Sequence, residues 1–421
     1  MMRTLCATTL VAALVLTGCG SAGSDSPSGS ADDGKLVVWD WKSGEEDAAA
    51  YVEKAKADFA ARHPDVTVEF VAQPFDQYYT LLGTAMQSGT GPDVMLFNGG
   101  GQLRDRADDL LPLGDRVAAE RRRLAGWDAF TRDGTVYAAP VTLQGHPIYY
   151  NKALYEEAGL DPEQPAATWD EFTDDCATLA EETGASCFSL GNKEGYGIQF
   201  FLSALGSGVL GPAEYDDWIA GKRDWTSPRV RRIFQLWKET EEAGLNNGGA
   251  NSTALFNEAF ARFESGDAAH VVGLMSDVGH WKEFGELLGE DDVGVMPAPR
   301  VEAGAEPSLP YDGGIGYAVA KRTAHPKLAV DLVRSLTSED ALRAFADGAG
   351  AIASDTGIDV PGGGPALASI MQEVESGKPA LHVALSAGTL DLMGRLSQQL
   401  LSGSASVDDA VRQLADSDRA D

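Results

Sequence analysis

The sequence predicts an α/β protein built as two lobes, each a sheet flanked by helices. Length is the first observation: 421 residues are too many for one compact core and enough for two. The second is the alternation between residues 35 and 97, where β-prone runs and helical stripes succeed one another across short loops. That order belongs to strands wound in parallel with helices on their faces. Hydrophobic content of 43% and charged content of 23% describe an ordinary globular chain. The net charge of −31 argues against a nucleic-acid partner, because a phosphate backbone needs a basic face.

At the N-terminus, Arg3 precedes an apolar run over residues 5–16, shorter than the roughly 20 residues of a membrane-spanning helix. It reads as a secretory signal over residues 1–18. The ending Leu16-Thr17-Gly18-Cys19 looks like a lipobox, with the Cys19 thiol as the lipidated group. The expected location is therefore the outer face of the cell membrane. Residues 19–34, rich in Ser, Gly and Asp, form a flexible tether. Of the four cysteines, Cys6 lies in the signal and Cys19 carries the lipid. Cys176 and Cys187 remain, and in an exported protein such a pair suggests a disulfide. A metal site is the weaker alternative, since no histidine stands near either cysteine in sequence.

Residues 35–39 (KLVVW) read as a buried strand, followed by the polar loop 40–44. Tyr51, Val52, Ala55 and Phe59 recur at helical spacing. Val66, Val68 and Phe70 alternate as a second strand. Pro74 breaks it, and Tyr78, Leu82, Ala85 and Met86 mark a second helix. Residues 93–97 (DVMLF) are a third strand running into Asn98-Gly99-Gly100-Gly101. Ligands of such sheets sit beyond the carboxyl ends of the strands, which singles out loops 40–44, 74–77 and 98–101.

The segment 134–176 then reads as strand, polar break (Gln144-Gly145-His146-Pro147), strand, short helix and amphipathic helix. Asn151 is an N-cap, and Thr168 with Glu171 is a capping box. Residues 191–197 are a glycine-rich loop before an apolar helix, and Ser227-Pro228 opens another helix. Phe256, Phe260 and Phe263 make a helical stripe expected to lie in the core. Residues 269–274 and 293–299 are strands, the first followed by Met275-Ser276-Asp277. Asp312-Gly313-Gly314 leads into the strand 315–320, and Pro326 opens a helix, with a cap again at Ser338.

Several of these residues together resemble one family. Gly134, Val136, Tyr137 and Pro140 lead into Tyr149-Tyr150-Asn151-Lys152, Leu154, Ala158-Gly159-Leu160 and Thr168-Trp169. Pro297, Pro299, Gly313-Gly314, Gly316, Lys321 and Leu336-Thr337-Ser338 continue the order. The chain is thereby similar to the extracellular solute-binding proteins of bacterial ABC importers, in their carbohydrate-binding, maltose-binding-protein-like branch. The resemblance implies a periplasmic-binding-protein-like fold with a cleft between the lobes. It places the first lobe at residues 35–142 plus 303–350 and the second at 143–302 plus 351–421. It implies a monomeric receptor, a sugar ligand and ABC permease subunits as partners, with a lipid anchor to the membrane.

The cleft loops hold residue types suited to sugars. Trp41, Phe75, Tyr196 and Trp281 offer apolar faces to a pyranose. Asp40, Gln77, Asn98, Gln144, His146, Asn192, Ser276 and Asp277 offer hydrogen-bonding groups. Gly99, Gly313 and Gly314 allow close backbone approach. HExxH, G-x-S-x-G and P-loop motifs are all missing, so catalysis, cofactor and metal are not implied. The alternatives are a receptor for another solute, such as a polyamine or a glycerophosphate, and a secreted glycoside-modifying enzyme using paired carboxylates.

Overall fold

A computed structural model describes residues 34–275, 279–374 and 378–420. Cys19, Ser276 and Asp277 lie outside them. The first lobe centres on a five-stranded sheet in the order Thr67–Ala72, Lys35–Asp40, Val94–Asn98, Ile315–Val319, Ala138–Pro140. Its first three strands are parallel, with Lys35 opposite Thr67 and Val38 opposite Val94. The last two run antiparallel to their neighbours, so the sheet is mixed. The chain reaches Ile315–Val319 by returning from the second lobe, not through a crossover helix, and nothing obliges it to run parallel.

Helices cover this sheet through the expected stripes. Ala49–Arg62 buries Tyr51, Val52, Ala55 and Phe59, and Phe75–Ser88 buries Tyr78, Leu82 and Ala85. Gly89 ends the latter helix at φ 81°, a left-handed conformation that favours glycine.

A four-stranded sheet organises the second lobe, in the order Val293–Met296, Ile148–Asn151, Ala268–Val272, Ser186–Ser189. Local signals set the helix starts here. The Asn151 side chain accepts from the Leu154 N–H, Thr168 and Glu171 form the reciprocal capping box, and Ser227 caps the helix begun by Pro228. Cys176 and Cys187 are joined as a disulfide, Cα atoms 5.0 Å apart. The fold also brings in a histidine that sequence spacing hid: His270 Nδ1 lies 3.9 Å from Cys187 Sγ. That ring is already engaged, Nδ1 with the Cys187 carbonyl at 2.9 Å and Nε2 with the Tyr155 hydroxyl at 2.8 Å.

One expectation fails in this lobe. Leu255–Ala259 forms a π-helical turn before the helix Phe260–Glu264. The wider turn rotates Phe256 off the stripe. Phe260 and Phe263 are buried, whereas Phe256 is 37% exposed.

Three chain passages link the lobes. Leu143–Gly145 pairs with Tyr311–Gly313 as a two-stranded ribbon. Alongside it, the Leu143 N–H donates to Ile352 and the Ser354 N–H to Val141. One core gathers residues such as Leu36, Phe97, Val141, Tyr317 and Phe345. Other clusters form around Phe201, Trp237 and Met393, and around Tyr149, Phe263 and Phe284.

Candidate ligand-binding cleft

The ribbon belongs to neither of the larger sheets, and the residues named from sequence differ in how far they remain open to a ligand. Asp40 ends the first strand but is fully buried. Its Oδ1 accepts the Ser43 N–H at 2.8 Å and its Oδ2 accepts the Tyr317 hydroxyl at 2.9 Å. Burial raises its pKa, with those hydrogen bonds opposing the shift. Asp40 therefore fastens a loop to the sheet and does not face a ligand. Trp41 is likewise 7% exposed, packed edge-on against Phe75 at 5.3 Å and Tyr78 at 4.9 Å. It buttresses Phe75.

Phe75 is the aromatic the first lobe presents. Half-buried, its ring lies 6.3 Å from Tyr196 and 6.2 Å from Phe256, both in the second lobe. Tyr196 and Phe256 are 6.4 Å apart, and Phe256 continues to Phe200 at 6.1 Å. Burial, then the charges of Glu194, Asp391 and Asp76, raise the Tyr196 pKa, so its hydroxyl keeps its proton. Gln77 is exposed on the same helix as Phe75, and Asn98 is half-buried, its N–H donating to the Tyr79 hydroxyl at 2.8 Å.

The glycines pack the backbone instead of opening it to a ligand. A Cβ on Gly99 would lie 2.5 Å from the Gly313 carbonyl oxygen, and one on Gly313 would lie 2.2 Å from that of Gly126. Their N–H groups are spent as well: Gly99 donates to Gly314, Gly314 to Thr142, and Gly313 to Asp312 Oδ1 at 2.7 Å. Asn192 is fully buried, its amide engaged by Asn251 and Ser397. Trp281 is 4% exposed, and its indole N–H donates to the Gly350 carbonyl at 3.0 Å. Asn192 and Trp281 are thus structural, because their polar atoms are satisfied inside the protein.

On the ribbon, Gln144 stands directly opposite Asp312. Cross-strand partners and residues two apart share a face, so Gln144, His146 and Asp312 lie together. Gln144 Nε2 is 3.4 Å from His146 Nε2. The His146 ring packs on Phe200 at 4.5 Å and His382 at 4.9 Å. Burial, reinforced by His382, holds the His146 pKa well below its ordinary value, and burial brings His382 to about 4. Both rings are neutral near pH 7. Burial pushes Asp312 up to about 7; Asp128 adds to the shift, while the Gly313 N–H and Arg104 oppose it.

Sequence reasoning missed Phe256, Asp312 and His382. Asp312 had a usable signal, since it adjoins the glycine pair at a strand entrance. The exposure of Phe256 had none, because its spacing matches that of the core stripe. The assembled site is a wall of aromatic rings that reaches, through Phe200 and His146, a ribbon bearing Gln144 and Asp312. Such a surface takes the C–H face of a ring on its rings and hydroxyls on its polar edge.

A family model described as bacterial extracellular solute-binding protein matches residues 41–342. The chain is 23% identical to the lactose-binding protein of Rhizobium radiobacter over 315 residues, 73% of this chain and 71% of that one. With the maltodextrin-binding protein of Bacillus subtilis the identity is 25% over 315 residues, again 73% and 71% of the two chains. Among solved structures, a chitin oligosaccharide binding protein shares the two-lobed fold at a TM-score of 0.78 and 19% identity, covering 91% of this chain and 99% of that one.

Proposed function

Because the chain belongs to the bacterial extracellular solute-binding protein family, we propose that it is the receptor of an ABC importer and that its solute is a sugar. The observation that carries this reading is the wall made by Phe75 of the first lobe with Tyr196 and Phe256 of the second, continued through Phe200 to His146. Rings contributed by both lobes let a bound sugar draw the lobes together about the ribbon. Gln77, Asn98, Gln144 and His146 supply hydrogen bonds to hydroxyls. The named ligands of the relatives, lactose and maltodextrin, support the sugar assignment.

The protein works as a monomeric carrier and not as an enzyme, exported and held to the membrane by a lipid on Cys19. Its partners are the permease subunits that accept the closed, loaded form. Thermal shift of the mature chain against maltose, lactose, galactose and chitin oligosaccharides tests the reading. A ligand at 100 times its dissociation constant adds about 2.7 kcal/mol to stability. If no sugar raises the melting temperature, the sugar assignment is rejected.

A further inference from the structure

We infer that Asp312 is a ligand-contacting residue of the cleft and that, with His146, it selects uncharged sugars over sugars bearing a carboxylate or phosphate. The inference rests on the sugar-receptor reading and deepens it.

Three observations place Asp312 in this role. First, it faces Gln144 across the ribbon, so its side chain shares the polar face that meets the aromatic wall through His146 and Phe200. It is half-buried there and holds the Gly313 N–H at 2.7 Å with Oδ1. Second, the same face contains an unmet hydrogen-bonding demand. The Gln144 amide nitrogen only donates, so His146 Nε2 accepts and the neutral ring carries its proton on Nδ1. That Nδ1 is buried in a side chain 1% exposed and has no hydrogen-bond partner among the described residues. Buried donors are normally satisfied, and a ligand oxygen is the partner this one lacks.

Third, the surrounding charges disfavour an anion. Asp128 stands on a first-lobe element beside Asp312, Tyr311 is its own neighbour and Tyr215 faces it from the second lobe. Arg104, the nearest cation, donates across the lobes to the Val383 and Leu385 carbonyls, and Arg106 donates to Gln102. Above about pH 7, where Asp312 is ionised, a carboxylate or phosphate arriving here meets two carboxylates, Asp312 and Asp128, while Arg104 is engaged with backbone carbonyls. An uncharged hydroxyl meets no such repulsion and can donate to the Asp312 carboxyl. The raised pKa of Asp312 agrees with a desolvated carboxyl that strengthens hydrogen bonds within the cleft.

The test is calorimetric titration and thermal shift of the mature chain with lactose, maltose and galactose. Each is paired with an anionic analogue (lactobionate, maltobionate, galacturonate), and glycerol 3-phosphate is added. The expected result is binding of at least one neutral sugar at least roughly tenfold tighter than its analogue. Asp312→Asn, which keeps an oxygen for the Gly313 N–H, should weaken the neutral sugar by roughly tenfold and narrow the gap to the analogue. Equal affinity of wild-type protein for a sugar and its analogue, or unchanged binding in a folded Asp312→Asn, overturns the inference alone. The wild-type comparison and an Asp312→Ser variant keep the test open should Asp312→Asn fail to fold. If no neutral sugar binds wild type at all, the receptor reading fails and the inference falls with it.

Discussion

The ring of Phe75, on the first lobe, lies 6.3 Å from the ring of Tyr196 on the second, with Phe256 6.2 Å from Phe75 and closing the triangle. Aromatic pairs at these separations attract modestly, by about 0.5–1.5 kcal/mol beyond their buried area. The rings thus hold the lobes near one another without locking them.

Truncating either ring tests the wall. Phe75→Ala or Tyr196→Ala should weaken sugar binding by about 1–3 kcal/mol, roughly tenfold to a hundredfold, because each removes a large apolar face. Both residues are half-buried, so the melting temperature of the unliganded protein should change little. A large melting drop with affinity kept in the folded fraction would assign that ring to structure.

Trp41 and Trp281 should behave in the opposite way. Each is nearly buried, and Trp281 also satisfies the Gly350 carbonyl. Substitution by Ala should cost about 3–5 kcal/mol of stability. Melting of the unliganded variants measures this directly. Near-normal melting with lost binding would return either tryptophan to the ligand.

Asp312 should make stability fall with rising pH. Its folded pKa, about 7, stands above the ordinary 3.8, so the native state holds a proton that the unfolded state releases between those values. The contribution is fully present below about pH 4 and lost by about pH 7. Asp312→Asn should therefore gain stability relative to wild type at pH 8 compared with pH 5. A gain of about 1–2 kcal/mol is expected, allowing for partial exposure. Denaturant melts at the two pH values check it, and a difference that does not change with pH refutes it.

The Cys176–Cys187 bridge closes a loop of sequence separation 11. Denatured, unreduced mature protein lacking Cys19 should contain no titratable thiol. Reduction should lower stability by about 2–3 kcal/mol, following the loop-closure relation.

The proposed lipid anchor makes membrane attachment depend on Cys19. A Cys19→Ala chain should appear in the medium or remain unprocessed, and fractionation of cells distinguishes this from wild type. A variant still anchored and still cut before residue 19 would remove the lipoprotein reading.

Short-range features were legible in the sequence because their physics is short-range. The Thr168–Glu171 capping box, the Asn151 cap, the Pro228 helix start and the stripe Tyr51, Val52, Ala55, Phe59 each depend on residues within a turn or two. The strand and helix order of the first lobe followed from the same local patterns, and the order of motifs pointed to the family. Which way a side chain faces was decided elsewhere. Asp40 ends a strand as a ligand-binding carboxylate does, yet Tyr317, 277 residues away, takes its oxygen. Phe256 shares the spacing of two core residues, and one π-helical turn sends it to the cleft. Asp312 meets Gln144 only because two strands distant in sequence pair in one register. Sequence alone determined the elements, their caps and the family, since these rest on local backbone preference and hydrophobic period. Tertiary structure decided which polar groups remain free for a ligand, since that depends on whether a distant partner has already satisfied them.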